Sequence, residues 1–174
     1  MKWKQYLKES ERTLNSMGNI DDLIHASIGI NTEIDELLEA YTIENTREEI
    51  GDIFWYMAIF YRIYKLDTSP YFDFTKSLVM IDKNQCLLSL QKEGYKSLDY
   101  AKRIKFYGAG LNSYDTANLT EINLLLSHII NESGYDFDDI LDRNINKLKV
   151  RYPEKFSNEK ASNRDIESEY KVLV

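Results

Sequence analysis

Residues that interrupt helices are scarce in this chain, which has two prolines and seven glycines among 174 residues. Proline removes a backbone hydrogen bond from a helix and glycine lowers helix stability, so their scarcity leaves room for long helices. The length fits one compact domain or two small, intimately packed helical halves. We therefore expect an all-α fold, built as a bundle of helical hairpins.

Cysteine and long apolar runs are scarce as well. The single cysteine, Cys86, excludes an internal disulfide and fits a reducing cytoplasm. No window approaches the roughly 18 consecutive apolar residues of a membrane span. The first ten residues alternate lysines with aromatics and contain no apolar segment of the kind found in secretory signals. We expect a cytoplasmic protein that makes no membrane contact.

Positive charge is in deficit, with 22 lysines and arginines against 29 aspartates and glutamates and a formal net charge of −7. Recognition of the phosphate backbone of duplex nucleic acid normally needs clustered lysines and arginines. The composition therefore argues against a duplex-binding surface. A small anionic substrate would have to be met by local cations and a metal ion.

Apolar residues recur at the helical period of 3.6 residues over 20–42 and 47–66. Because only a short polar break separates these two predicted helices, they should form an antiparallel hairpin. Residues 1–156 are assigned to one domain and 157–174 to a C-terminal arm. Further helices are predicted at 74–91, 97–107, 119–131, 137–151 and 164–172. Gly94 is expected to end the first of these.

The segment 75–140 has the character of a degenerate second copy of the hairpin segment 20–66. Both have the order helix, basic-aromatic turn, helix. In that register Glu121 and Leu124 occupy the positions of an acidic pair, with leucine in place of an aspartate. The hypothesis is that the second half supports the first and has no metal site of its own.

Two acidic pairs stand in the predicted hairpin, Glu33 with Glu36 and Glu49 with Asp52. Residues three apart share one face of a helix, so the hairpin can bring four carboxylates together. These acids border apolar strips, where a carboxylate is costly unless a cation compensates it. Hard oxygen ligands on rigid helices suit Mg²⁺, so all four are candidate metal ligands. The alternative interpretation is a pair of solvated acidic faces.

The segments 23–37 and 47–56 resemble the MazG-like nucleotide pyrophosphohydrolases. That family is marked by Glu-Glu-x-x-Glu followed, after a variable gap, by Glu-x-x-Asp. The first motif here reads Thr32-Glu33-Ile34-Asp35-Glu36, with threonine in place of the leading acid. The resemblance implies hydrolysis between the α and β phosphates of a nucleoside triphosphate, giving the monophosphate and pyrophosphate. It also implies dependence on Mg²⁺, with Mn²⁺ as a substitute, and a homodimer or higher homo-oligomer.

The segment 144–156 also resembles the end of MazG-like chains. Asn144, Lys147 and Arg151 share one face of the predicted helix, where an ammonium and a guanidinium could hold phosphate oxygens. The alternative is a solvated basic face that stabilises the C-terminal end of the helix. The basic turn of the family appears late in this chain, over 102–108, which makes Lys102 and Lys105 second-rank candidates for phosphate contact.

Two glutamates receive catalytic roles from the resemblance. Glu36 is the candidate acceptor of a proton from the attacking water, and Glu49 is a metal ligand on which turnover should depend. His25 and His128 are interpreted as packed, hydrogen-bonded side chains. Two other functions stay open: a noncatalytic nucleotide- or partner-binding helical protein with a vestigial metal site, and a dUTPase-like enzyme narrowed to one pyrimidine deoxynucleotide.

Overall fold

The computed structural model describes residues 1–73 and 82–173. These residues form eight α-helices and one turn of 3-10 helix, with no β-strand among them, which confirms the predicted all-α fold. The helices are α1 Trp3–Glu11, α2 Asn19–Glu39, α3 Ile43–Tyr64, α4 Lys83–Tyr107, α5 Ala117–Glu132, α6 Phe137–Arg151, α7 Asn158–Ser162 and α8 Ile166–Tyr170.

Side-chain caps fix the beginnings of several helices. The Thr42 hydroxyl accepts a hydrogen bond from the backbone N–H of Asn45 at the start of α3, and Asp136 accepts one from Asp139 at the start of α6. Each cap satisfies a backbone donor that has no partner inside the helix. The predicted bounds of 137–151 for α6 are confirmed, and those of the first hairpin are correct to within a few residues at each end.

The first hairpin forms the centre of the bundle. Helix α2 packs along both α3 and α4, α4 packs on α5, and α6 covers α3, while α1 contacts both α3 and α6. The core contains isoleucines of both hairpin helices with no solvent exposure, among them Ile30, Ile34, Ile50 and Ile53. This packing holds the acidic edge of the first hairpin against α6.

The prediction that Gly94 ends a helix is wrong, because α4 continues through it to Tyr107. The glycine serves close packing instead: Asn31 of α2 donates a hydrogen bond to the Gly94 carbonyl at 2.9 Å. A Cβ atom at this position would lie 2.9 Å from Asn31 Oδ1 and 3.0 Å from Ile34 Cδ1. The part of the predicted third helix that covers 74–81 lies outside the described residues.

Helices α4 and α5 pack against each other, and α4 also packs against α2 of the first hairpin. That order is compatible with the internal repeat, which stays a prediction. Glu121, the acid that would correspond to the first hairpin's second acidic motif, is exposed on α5.

The C-terminal arm contains the two short helices α7 and α8, of which α8 contacts α6. Every residue from 158 to 167 is exposed to solvent. The helix predicted at 164–172 is present but shorter, because α8 covers only Ile166–Tyr170. None of the described helices is both long enough and apolar enough to cross a membrane.

Candidate metal centre and ligand cleft

The first hairpin brings three of the four predicted metal ligands into one cluster. Carboxylate oxygens of Glu33, Glu36 and Glu49 all lie within 4.8 Å of one another. Glu49 is buried and Glu33 is half-buried, whereas Glu36 is exposed. The buried isoleucines one residue away, Ile34 and Ile50, set the rotation of the two helices and so keep these carboxylates at the edge of the core.

The metal-free cluster is electrostatically unfavourable. Burial first, and then the negative charges of Asp52 and Glu36, raise the pKa of Glu33 and the pKa of Glu49 well above the ordinary value for glutamate. Glu48 adds to the effect on Glu49. Such a group of like charges is stabilised by protons or by a cation, and three converging carboxylates supply the hard oxygen donors that Mg²⁺ or Mn²⁺ would take.

The fourth predicted ligand, Asp52, lies beside the cluster and is held from α6. Asn144 Nδ2 donates to Asp52 Oδ1 at 2.6 Å, and the Lys147 ammonium donates to Asp52 Oδ2. Each carboxylate oxygen can accept more than one bond, so Asp52 keeps lone pairs that a metal could use.

Lys147 is an internal cation of the site. Its side chain is almost fully buried, and its ammonium also donates to Glu48 Oε1 at 3.0 Å. Burial lowers the pKa of Lys147, but Asp52 and Glu48 outweigh that effect and raise it overall, so the ammonium stays charged. These contacts place Lys147 between two carboxylates rather than free to receive a phosphate group.

Asn144 has a positioning role in the structure. Its Oδ1 accepts a hydrogen bond from Tyr6 at 2.7 Å while its Nδ2 binds Asp52, so both ends of the amide are engaged. The Tyr6 hydroxyl also contacts the carbonyl of Gly51 at 3.3 Å. A Cβ atom on Gly51 would lie 3.0 Å from Asn144 Cβ, so the glycine permits this close approach of α3 and α6.

The carboxylate cluster lies along a cleft of about 700 Å³, whose lining includes Glu33, Glu36, Glu49 and Asp52. This volume falls in the range of small-molecule sites, which is about 300–1,000 Å³. An aromatic wall also lines this cleft, on the same two helices as the acids. It is made of His25, Trp55 and Tyr56, with the apolar side chains of Ile24 and Ile28 beside it.

Close packing fixes this aromatic wall. The Tyr56 ring lies against Gly29, where an added Cβ atom would come within 2.2 Å of the ring. The ring centroids of Trp55 and Tyr56 are 4.9 Å apart with the planes nearly perpendicular, and Trp55 Nε1 donates to Thr13 Oγ1 at 2.9 Å. The ring of His25 meets that of Tyr56 edge-on at 5.5 Å.

His25 differs from the packed, hydrogen-bonded histidine that the sequence suggests. Burial lowers the pKa of His25, which favours the neutral imidazole. Its Nδ1 atom is buried and has no hydrogen-bond partner among the described residues, although the side chain lines the cleft. A buried polar atom without a partner at the wall of a cleft is a position where a ligand could supply the missing bond.

Two arginines also line the cleft, Arg151 of α6 and Arg164 of the arm. Both guanidinium groups bind the carboxylate of Glu169 on α8: Arg151 donates from Nε at 2.9 Å and from Nη2 at 2.6 Å, and Arg164 donates from Nη2 at 2.8 Å. Burial raises the pKa of Glu169, but these bonds outweigh it and lower the pKa to about 2.

The two second-rank lysines lie on α4 and are paired with carboxylates. Lys102 binds Asp99 on its own helix, and Lys105 binds Asp21 of α2. Asp21 lines the cleft, so Lys105 approaches the cleft only through this partner, and neither lysine lines it.

Arg164 and Glu169 are not predicted from the sequence, because a polar terminal segment gives no sign of where it docks. Glu48 is missed for a similar reason, since only the packing of α6 on α3 brings it to Lys147.

Comparison of the chain with protein-family models, with curated proteins and with solved structures finds no match.

Proposed function

We propose that this protein hydrolyses nucleoside triphosphates, as NTP or dNTP, to the monophosphate and pyrophosphate in a reaction that depends on Mg²⁺. The observation that carries the proposal is the convergence of Glu33, Glu36 and Glu49 in a cleft that the aromatic side chains of His25, Trp55 and Tyr56 also line. A nucleotide would use both features, because its phosphates require cations and its base has apolar faces that stack on aromatic rings.

The acidic side of the cleft suits a magnesium ion held by carboxylates. Glu33, Glu36 and Glu49 would hold the metal, and Asp52 would contribute one of its remaining lone pairs. When bound, Mg²⁺ would neutralise phosphate oxygens and lower the pKa of an attacking water. Burial, and then repulsion between neighbouring carboxylates, raises the pKa values of Glu33 and Glu49, and a metal would relieve the repulsion.

Individual side chains have separate tasks in this proposal. Glu36 is the exposed acid of the cluster, and it is the candidate to accept the proton of the attacking water. Lys147 holds Asp52 in place and offsets part of the negative charge of the site. Arg151 lines the same cleft and is the candidate to contact the leaving pyrophosphate once its present partner gives way.

The noncatalytic alternative has one observation in its favour. Lys147 and Arg151 are the two cations expected to meet the phosphates, and both are engaged by carboxylates of the chain itself. A protein of this kind would bind nucleotide or a partner and release no pyrophosphate. The second alternative, a dUTPase-like enzyme restricted to one pyrimidine deoxynucleotide, would require a hydrogen bond from the cleft wall that distinguishes one base from the others. The unpartnered Nδ1 of His25 is available for such a bond.

The test is pyrophosphate release from a panel of ribo- and deoxynucleoside triphosphates, with Mg²⁺, with Mn²⁺ and without divalent metal. Glu49→Gln serves as the inactive variant and Glu121→Gln, at an exposed glutamate of α5, as the matched control. We expect metal-dependent release that Glu49→Gln abolishes and Glu121→Gln leaves unchanged. Release from a single pyrimidine deoxynucleotide would establish the narrowed enzyme, and nucleotide binding without release would establish the noncatalytic protein.

A further inference from the structure

Two arginines of the cleft converge on a single carboxylate that belongs to the chain itself. Glu169 is 2% exposed, and it receives hydrogen bonds from Arg151 and from Arg164. Its carboxylate therefore lies between two guanidinium groups whose side chains line the cleft of the acidic cluster.

The charges of this contact are not balanced. Two guanidinium groups carry two positive charges and one carboxylate carries one negative charge, so the pair of arginines has a surplus of one. A phosphate group with two negative charges and three oxygens would match two planar guanidinium groups better than a carboxylate does. Both arginines line the cleft that Glu33, Glu36, Glu49 and Asp52 also line, and the negative charge of Asp52 acts on Arg151.

The segment that carries Glu169 is lightly attached. All residues from 158 to 167 are exposed, and α7 and α8 have five residues each. Besides Glu169, the arm buries Leu173, whose carbonyl accepts a hydrogen bond from Arg143. Exposed segments with few buried apolar contacts open locally at a small fraction of the cost of global unfolding.

We propose that Arg151 and Arg164 form a phosphate-binding pair, and that Glu169 occupies it in the resting protein as an internal competitor. Binding of a phosphate chain to the two arginines then requires Glu169 to leave and α8 to detach from α6. Phosphate is named as the anion because of the proposed function, but the competition itself needs neither metal nor hydrolysis. The docked arm thus lowers the apparent affinity of the cleft for anions.

The size of the effect follows from the population of the docked arm. If the arm is docked nine-tenths of the time, the apparent affinity of the arginine pair for an anion is about tenfold weaker than its intrinsic affinity. Replacing Glu169 by the neutral and nearly isosteric glutamine should recover that factor. The alternative role for Glu169 is to hold Arg151 in position for ligand binding, in which case the same replacement should weaken binding.

The experiment measures binding of inorganic tripolyphosphate to the full chain by calorimetry, in the presence and in the absence of Mg²⁺. We expect Glu169→Gln to bind about tenfold more tightly than the parent protein in both buffers. Glu167→Gln is the matched control, because this glutamate lies on the same helix, is exposed and pairs only with Lys171 among the described residues. It should bind like the parent, and the double variant Glu169→Gln with Arg164→Gln should lose the gain.

A second measurement applies to the unmodified protein and guards against a variant that is poorly folded. Hydrogen exchange of the backbone amides of α8 should accelerate when tripolyphosphate is added, because the ligand releases the arm. Unchanged or tighter protection of α8, or equal or weaker binding by a folded Glu169→Gln variant, would overturn the proposal. Because no nucleotide is hydrolysed in either measurement, both results are independent of whether the protein is a pyrophosphohydrolase.

Discussion

Replacement of Glu49 by glutamine should stabilise the metal-free protein, although most substitutions of buried residues destabilise. Glu49 is 8% exposed, and its carboxylate lies within 4.8 Å of those of Glu33 and Glu36. Two unit charges at that separation repel each other by about 3.5 kcal/mol at an effective dielectric constant of 20. Glutamine keeps the shape of the side chain and removes its share of this repulsion.

The measured gain should be smaller than one full pairwise repulsion. Burial and the neighbouring negative charges raise the pKa of Glu49, so this residue takes up a proton and relieves part of the strain itself. We expect an increase of about 1–2 kcal/mol in the free energy of unfolding, which corresponds to about 2–8 °C in Tm for a chain of this length.

The pH dependence of this gain has a definite sign. Because the pKa of Glu49 is raised on folding, the folded protein binds more protons than the unfolded chain between the ordinary glutamate pKa, about 4.3, and the raised value. Stability of the parent protein therefore falls as pH rises through that interval. The advantage of Glu49→Gln should accordingly grow as pH rises from about 5 to about 8.

Thermal and urea unfolding of the parent, Glu49→Gln and the exposed control Glu121→Gln, with and without Mg²⁺, test this reasoning. Glu121→Gln should lie within about 0.5 kcal/mol of the parent, as surface substitutions usually do. Mg²⁺ should stabilise the parent and the control but not Glu49→Gln. A metal-free Glu49→Gln protein that is less stable than the parent, or equal stabilisation of all three proteins by Mg²⁺, would refute the reasoning.

Three further predictions concern other parts of the site. Asp52→Asn deprives the buried Lys147 ammonium of its closest counter-charge, and relief of the repulsion with Glu33 and Glu49 offsets part of that loss. The free energy of unfolding should fall by about 1–3 kcal/mol in urea titrations; a loss below about 0.5 kcal/mol, the range of a surface change, would contradict this. Gly29→Ala must displace the ring of Tyr56. Calorimetry should therefore show nucleotide binding weakened about tenfold, with Mg²⁺ binding retained. Unchanged nucleotide affinity would contradict a role of the aromatic wall in binding the base. The pKa of Glu169 is lowered to about 2, so the stability that this carboxylate contributes is present above the ordinary glutamate pKa of about 4.3 and is lost as pH falls towards 2. Hydrogen exchange of the α8 amides at successive pH values should show this loss. Protection of α8 that persists at about pH 2 would contradict the prediction.

Much of the fold is predictable because helices are encoded locally. Apolar residues at the helical period mark α2, α3, α5 and α6, and the acidic pairs fall on the predicted hairpin. Helices α1 and α7 are not predicted from the sequence, and α4 shows the limit of local signals. Glycine by itself disfavours a helix, yet Gly94 lies inside α4. It is needed there because Asn31 and Ile34 of the neighbouring helix α2 occupy the space that a side chain would fill.

The partners of the cations are the part of the site that could not be predicted. Spacing alone places Asn144, Lys147 and Arg151 on one face, and this face does point to the acidic hairpin. Their contacts depend on how α6 docks on α3 and on where the arm returns. Lys147 meets Asp52 from 95 residues away, and Arg151 meets Glu169 from 18 residues away, across a segment that contains α7.

The sequence by itself determined the helical class, the hairpin and the pairing of acids on shared helix faces, since these follow from the 3.6-residue period and short connections. Tertiary structure decided which carboxylates converge, which of them a lysine already neutralises, and which arginines the arm engages. Those outcomes depend on interactions between segments far apart in the chain, and burial then fixes their electrostatics. Glu33 and Glu36 are neighbours on one helix, but Glu49 joins them only through packing.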